Sequence, residues 1–117
     1  MKVQDLMGAS DRAAAFLRAL AHPARLRVVC SLLDGECAAG ELAGKARLRA
    51  PALSQQAAIL EAEGLISRRR SAQLVYYRLK SPHARALARL LHGAFCGPAA
   101  RAGARRAPAT VARRRAA

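Results

Sequence analysis

Three cysteines carry the most reactive side chains of this sequence: Cys30, Cys37 and Cys96. A deprotonated thiol is a nucleophile, a redox centre and a metal ligand. An odd number of cysteines, in a chain whose N-terminus lacks the features of a signal peptide, argues against a framework of structural disulfides. We therefore expect reduced thiols, and we expect any bond between them to be regulatory.

Simpler interpretations of these thiols remain open. Cys30 falls on the apolar stripe of a predicted helix, where a free cysteine is commonly a small packing residue. Cys96 lies four residues after His92 on one helical face, the spacing of a nucleophile and its base. The sequence offers no third group to orient that base, so we predict that the chain is not an enzyme. Cys37 is expected to be inert.

A second kind of chemistry, hydrogen bonding to bases, is predicted on a helix spanning roughly residues 50–63. Leu53, Ala57 and Leu60 recur at helical spacing and form its buried stripe. Gly64 then suits the position after a helix end, where a positive φ is usually needed.

Polar side chains occupy the outer face of that helix. Ser54 and Gln55 lie off the buried stripe and point outward. A short helix beginning near Glu41 precedes it, with a tight connection over residues 45–48. Two tightly joined helices with hydrogen-bonding side chains on the second predict a helix-turn-helix that enters the major groove of DNA.

A basic hairpin follows this motif. Two β-rich runs flank a short polar turn at residues 71–73 and predict a two-stranded wing. Its first strand carries Arg68, Arg69 and Arg70, which we expect to contact phosphate or the minor groove. A solvated strand edge is the plainer interpretation of the same three charges.

The net charge of +14 in 117 residues predicts a polyanionic partner. Residues 1–96 contribute +8, and residues 97–117 contribute +6 through six arginines and no acidic residue. The domain is therefore basic enough for double-stranded DNA even without its tail. A non-specific architectural protein that coats DNA is an alternative, and it would show a specificity ratio near one.

Apolar residues at helical spacing predict three more helices, beginning near Ser10, Pro23 and Pro82. The last helix has a broader apolar face than one small core can cover, and a second copy of the chain would cover it. We predict a mainly α fold, a winged helix-turn-helix of about five helices plus a two-stranded wing, assembled as a homodimer. The domain spans residues 10–96, between a flexible N-terminus (1–9) and a disordered basic Ala/Arg tail (97–117). No apolar run is long enough to cross a membrane, and we expect a cytoplasmic protein.

Three segments carry a family resemblance: LRALAHPARLRVVCSLLDGE, GELAGKARL and LSQQAAILEAEGLISRRRSAQLVYYRL. Together they resemble the ArsR/SmtB family of bacterial winged-helix repressors over about residues 12–96. Members are typically homodimers that bind a palindromic operator and release it when an inducer binds, and their first and last helices make the dimer contact. The resemblance implies the same assembly and activity here.

Metal ions are the best-known inducers in that family, but the corresponding positions fit a metal poorly. Ala38 and Gly40 stand where the arsenic-sensing type has a Cys-x-Cys pair, and His83 alone matches a ligand position of the zinc-sensing type. Zinc needs at least three protein ligands. We expect no metal or other cofactor, and a metal-responsive repressor is the alternative function.

The cysteines resemble those of another subgroup of the same family. Cys30 and Cys96 match the BigR/SqrR-type sulfur sensors, as do the segments LLHGAFC and AQLVYY. The resemblance implies that reactive sulfur species bridge the two sensing thiols and that the repressor then leaves its operator. Because the thiolate is the attacking form, one of the two is expected to have a lowered pKa.

The recognition helix departs from the family pattern. Arg49-Ala50-Pro51 replaces a Ser-Gln-Ser-like opening, and Gln56 replaces a commonly found His. Arg49 is a weak N-cap, and it is expected to contact guanine or phosphate instead. The predicted DNA-contacting residues are Arg49, Ser54, Gln55, Gln56, Arg68, Arg69 and Arg70.

Overall fold

Six helices and a small antiparallel sheet make up residues 2–96, the part of the chain that the computed structural model describes. The tail predicted over residues 97–117 lies outside the described residues. The elements are α1 (Val3–Gly8), α2 (Ser10–Leu20), α3 (Pro23–Ser31), β1 (Cys37–Ala38), α4 (Ala39–Ala46), α5 (Ala50–Ala62), β2 (Ile66–Ser71), β3 (Leu74–Leu79) and α6 (Pro82–Cys96). Helix α1 adds one helix to the predicted five, within the nine residues where the sequence shows no periodic pattern.

Local sequence explains how α3 starts. The His22 side chain accepts a hydrogen bond from the Ala24 backbone N–H at 3.2 Å, and Pro23 occupies the first turn. A proline is harmless there because its missing N–H has no helical partner. The helix ends at Ser31, three residues before the predicted Asp34.

The predicted helix-turn-helix is confirmed, with a shorter connection than expected. Lys45 still belongs to α4, and the turn is made around Arg47, whose backbone is left-handed at φ 58°. The Leu48 N–H donates to the Ala43 carbonyl at 2.9 Å, which satisfies an orphan carbonyl at the end of α4. After α5, Gly64 has the predicted positive φ, at 75°.

The predicted wing is also confirmed, and it gains a third strand. β2 pairs with β3 in antiparallel register from Ile66 opposite Leu79 to Ser71 opposite Leu74. β1 adds to the other edge of β3, which gives the order β1-β3-β2. Two residues are too few to show an alternating pattern, so the sequence could not reveal β1.

The core is aliphatic and lies under the helix-turn-helix. The predicted stripe of Leu53, Ala57 and Leu60 is buried, and no polar or charged residue is buried within residues 2–96. The stripe predicted on α3 included Cys30 and Val29 but not Val28. The prediction is only partly right, because Val28 and Val29 are fully buried whereas Cys30 is half-buried. The side chains buried most completely are Leu32, Leu42, Leu60, Leu65, Ile66, Val28 and Val29.

Two helical surfaces at the ends of the domain stay apolar and uncovered in a single copy. On α6, Leu90 and Phe95 are 66% and 70% exposed. On α1 and α2 the exposed apolar residues are Val3, Leu6, Met7 and Leu17. Within the described residues, none of the helices is long and apolar enough to cross a membrane.

Candidate nucleic-acid interface and thiol site

The outer face of α5 carries the predicted base contacts. Ser54 and Gln55 are both exposed, directly after the buried Leu53. Arg49 is exposed at the N-terminus of α5, where its side chain makes no capping hydrogen bond. The positive end of the helix dipole lies at the same place, so this corner favours an anion such as phosphate.

Gln56 differs from its neighbours because a side chain of α3 holds it. It is half-buried, and its Oε1 accepts a hydrogen bond from Arg25 Nη1 at 2.9 Å. Arg25 is itself fixed, since its Nε donates to the Ala19 carbonyl at 2.6 Å and its Nη2 to the Arg18 carbonyl at 3.2 Å. No local pattern in the sequence indicates this contact, which joins residues 31 positions apart.

The three wing arginines have different surroundings. Arg68 forms an ion pair with Glu61 on α5, with Nε 3.5 Å from Oε2. Arg69 binds both carboxylate oxygens of Glu36, at 2.9 and 2.7 Å, and its guanidinium lies 4.5 Å from the centre of the Tyr76 ring. These hydrogen bonds lower the pKa of the Glu36 carboxyl. Within residues 2–96, Arg70 makes no ion pair.

The two thiols predicted to be sensors lie on helices that pack against each other, Cys30 near the end of α3 and Cys96 at the end of α6. Cys30 is half-buried and Cys96 is exposed, and both are free. Burial raises the pKa of the Cys30 thiol above its ordinary value of 9.0, and the neighbouring charge of Cys96 raises it further. The expectation that one of the two thiols has a lowered pKa is not met at Cys30, because its side chain is partly withdrawn from water.

An open cleft of about 380 Å³ lies beside Cys30. Its lining comes from α3 and the turn after it on one side and from α6 on the other: Cys30, Leu33, Asp34, Arg89 and His92. A small polar molecule can therefore reach Cys30 from the side of α6.

Arg25 and Arg27, which neighbour Cys30 in sequence, are engaged elsewhere. Arg25 binds Gln56 on α5, and Arg27 Nε donates to the Ala46 carbonyl at the end of α4, at 2.7 Å. The helix that carries Cys30 is thus attached by its own side chains to both helices of the helix-turn-helix.

Cys37 occupies a separate environment. It is 3% exposed, and its sulfur accepts a hydrogen bond from Lys45 Nζ at 3.6 Å. The Cys37 sulfur is the main cause of a raised pKa of Lys45. Within the described residues, no group of three or more His, Cys, Asp or Glu side chains is placed to hold a metal ion.

Comparisons with known proteins agree with this geometry. A profile of the bacterial regulatory proteins of the arsR family matches residues 22–68. The transcriptional activator HlyU of Vibrio cholerae is 40% identical over 96 residues, which cover 82% of this chain and 89% of HlyU. The structure of reduced HlyU superposes with a TM-score of 0.75, at 39% identity and over 80% of this chain and 99% of that one.

Two further structures show the same fold. The transcriptional repressor BigR from Xylella fastidiosa superposes with a TM-score of 0.77 at 35% identity, and the match covers 82% of this chain and 98% of BigR. The homodimeric winged helix-turn-helix DNA-binding domain of Mb0332 from Mycobacterium bovis has a TM-score of 0.66 at 25% identity, over 79% of this chain and 84% of that one.

Proposed function

Because the chain belongs to the ArsR family of DNA-binding transcriptional regulators, we propose that it is a homodimeric repressor whose operator binding ends when reactive sulfur joins Cys30 to Cys96. The observation that supports this proposal is the placement of the two thiols: Cys30 on α3 borders a cleft that α6 lines on its other side, and Cys96 ends α6. The charge of Cys96 also contributes to the raised pKa of Cys30. HlyU is named an activator and BigR a repressor, so repression is part of the proposal.

The uncovered apolar surfaces support the homodimer. Leu90 and Phe95 on α6, and Leu17 on α2, are more than half exposed in one copy. Burying such side chains against a second copy gains about 1.5–3 kcal/mol each. The homodimeric domain of Mb0332 shares the fold. A two-fold dimer would present two copies of α5 to two half-sites of an operator.

The different exposure of the two thiols sets an order of reaction. Cys96 is exposed and would meet a persulfide, RSSH, first. Its thiolate bonds to the terminal sulfur, and the carrier leaves as RS⁻, so Cys96 becomes a persulfide itself. This step exchanges one S–S bond for another, so it needs no separate oxidant.

Bridging follows by two further exchanges. The Cys96 persulfide anion attacks the carrier sulfur of a second RSSH and releases HS⁻, which leaves a trisulfide, Cys96 Sγ–S–S–R. The Cys30 thiolate then attacks the middle sulfur of this trisulfide and expels RS⁻, so that a new trisulfide, Cys96 Sγ–S–Sγ Cys30, joins the two residues. Two persulfides are consumed, and two carrier thiols and one H₂S are released. The raised pKa of Cys30 keeps its thiolate scarce, which fits a role in the last step rather than in the first.

The attachments of α3 explain how bridging would reach the DNA. A bridge pulls Cys30 towards the end of α6, and α3 carries Arg25 and Arg27 as well. Their hydrogen bonds to Gln56 and to the Ala46 carbonyl join α3 to both helices of the helix-turn-helix. A shift of α3 therefore moves the recognition helices out of their spacing on the operator. Such coupling requires that the bridged state pack differently from the reduced one.

The experiment follows mass and DNA binding on the same samples. Reduced protein is exposed to glutathione persulfide, with glutathione disulfide as the control reagent, and its intact mass is measured. Binding is measured to a duplex selected by the reduced protein from a random-sequence library. We expect the mass to rise by one sulfur less two hydrogens, the modified peptides to contain Cys30 and Cys96, and the duplex to be released.

Variants make the result specific to this pair. Cys30→Ser and Cys96→Ser should each abolish release, whereas Cys37→Ala, the matched control, should preserve it. Unmodified cysteines, or modification without a change in DNA affinity, would refute the thiol switch. Equal affinity for the selected duplex and for unselected DNA would favour the architectural alternative.

A further inference from the structure

The hydrogen bond between Arg25 and Gln56 fixes which end of the Gln56 amide faces the protein. A guanidinium has only donors, so the atom 2.9 Å from Arg25 Nη1 must be the oxygen of the amide and not its nitrogen. Turning the amide over would place two donors against each other. Arg25 cannot easily make room, because it also donates to the carbonyls of Ala19 and Arg18.

The end of the amide that remains available is its NH₂ group. Within residues 2–96, the Gln56 Nε2 donates no hydrogen bond. A charged donor at Oε1 also polarises the amide and strengthens the NH₂ as a donor. Gln56 is half-buried at the edge of the exposed face of α5, beside the outward-pointing Gln55.

We propose that Arg25 makes Gln56 a hydrogen-bond donor towards DNA, so that this position selects a base rich in major-groove acceptors, with guanine preferred. Guanine presents both O6 and N7 as acceptors in the major groove. A free glutamine typically recognises adenine instead, by accepting from N6 and donating to N7. Here the adenine amino group would have to share Oε1 with a guanidinium.

Gln56 differs in this respect from the other polar residues on the outer face of α5. Ser54 and Gln55 are exposed, and no side-chain hydrogen bond of either is formed within residues 2–96, so both can adapt to donors or acceptors. Gln56 alone is tied to another helix of the domain. The inference rests on the proposed role of α5 as the recognition helix.

In the test, the full chain and its variants each select duplexes from a library of random sequence. The base preferences in the selected duplexes are then compared. Gln56→Met removes both amide ends and identifies the base pair in each half-site that depends on this position. Gln56→Glu keeps an acceptor for Arg25 and loses the donor, so binding to the wild-type motif should fall roughly tenfold, a typical loss for one base contact. Arg25→Met frees the amide, so preference at that pair should move from guanine towards adenine. Gln4→Met, on α1, is the matched control and should select the wild-type motif.

The outcomes separate this inference from the proposed function. The inference is supported if the wild type prefers guanine at the base pair that depends on residue 56 and if Gln56→Glu loses that preference. Adenine at that pair in the wild-type motif, or a motif indifferent to every change at residue 56, overturns the inference and leaves operator binding intact. No enriched motif at all would overturn operator binding and the inference together. Should Arg25→Met lose its helical circular dichroism, Gln56→Glu still decides the question.

Discussion

Arg69 on β2 and Glu36, the residue before β1, form a two-point ion pair with distances of 2.9 and 2.7 Å. Arg69 pairs in register with Tyr76 on β3 and lies against its ring. One arginine thus joins the outer strand of the wing to the segment that leads into the opposite edge strand. The sequence suggested a DNA contact for Arg69, whereas the ion pair gives it a partner inside the domain.

We predict that Arg70→Gln lowers the salt dependence of DNA binding more than Arg69→Gln does. The charge of Arg69 is already matched by Glu36, whereas Arg70 has no acidic partner within residues 2–96. Each phosphate neutralised contributes about one unit to the slope of log K against log salt. Titrations of the selected duplex at several salt concentrations measure that slope. Equal loss in the two variants would contradict the prediction, and it would mean that Arg69 exchanges Glu36 for phosphate on binding.

The raised pKa of Cys30 predicts an alkaline profile for its alkylation. Burial is the larger cause and the charge of Cys96 the smaller one, so Cys96→Ser should lower the midpoint without returning it to the ordinary 9.0. The reaction of Cys30 with iodoacetamide, followed by peptide mass in a Cys37→Ala background, gives that midpoint at each pH. A midpoint unaffected by Cys96→Ser would mean that the two sulfurs do not interact.

The same shift has a consequence for stability. The folded chain holds the Cys30 proton more tightly than the unfolded chain, because its pKa is raised on folding. The resulting stabilisation is therefore present below pH 9 and is lost as the pH rises through the folded pKa. Urea unfolding at neutral and alkaline pH should show a smaller pH-dependent loss in Cys30→Ser than in the wild type.

Self-association should depend on α6. Leu90 is 66% exposed in one copy, and burying a leucine gains about 1.5–3 kcal/mol. Leu90→Ser should therefore weaken the dimer by roughly tenfold or more, as measured by sedimentation equilibrium. Leu74→Ser is the matched control, because Leu74 is 54% exposed on the wing and should leave the dimer unchanged. Equal effects of both changes would refute the assignment of α6 to the interface.

The features predicted correctly from the sequence are local. The stripe of Leu53, Ala57 and Leu60 and the positive φ of Gly64 follow from helical period and backbone sterics, which need only neighbouring residues. Two polar contacts of the site were not predicted, Arg25 with Gln56 and Arg69 with Glu36. Their partners lie 31 and 33 positions apart in the sequence. Such pairs depend on how helices and strands pack, so no pattern in the sequence marks them.

We predict that Arg27→Met uncouples bridging of the thiols from the release of DNA. The Arg27 Nε donates to the Ala46 carbonyl at 2.7 Å, where α4 turns towards α5, and Arg27 lies on the same helix as Cys30. Arg27→Met should still allow the Cys30–Cys96 bridge to form, but the ratio of DNA affinities between reduced and bridged protein should shrink severalfold. Intact mass and duplex binding on the same samples measure both quantities, and Arg12→Met on α2 is the control. An undiminished ratio in Arg27→Met would show that α3 signals through other contacts, and the Arg25–Gln56 bond would then be the next to remove.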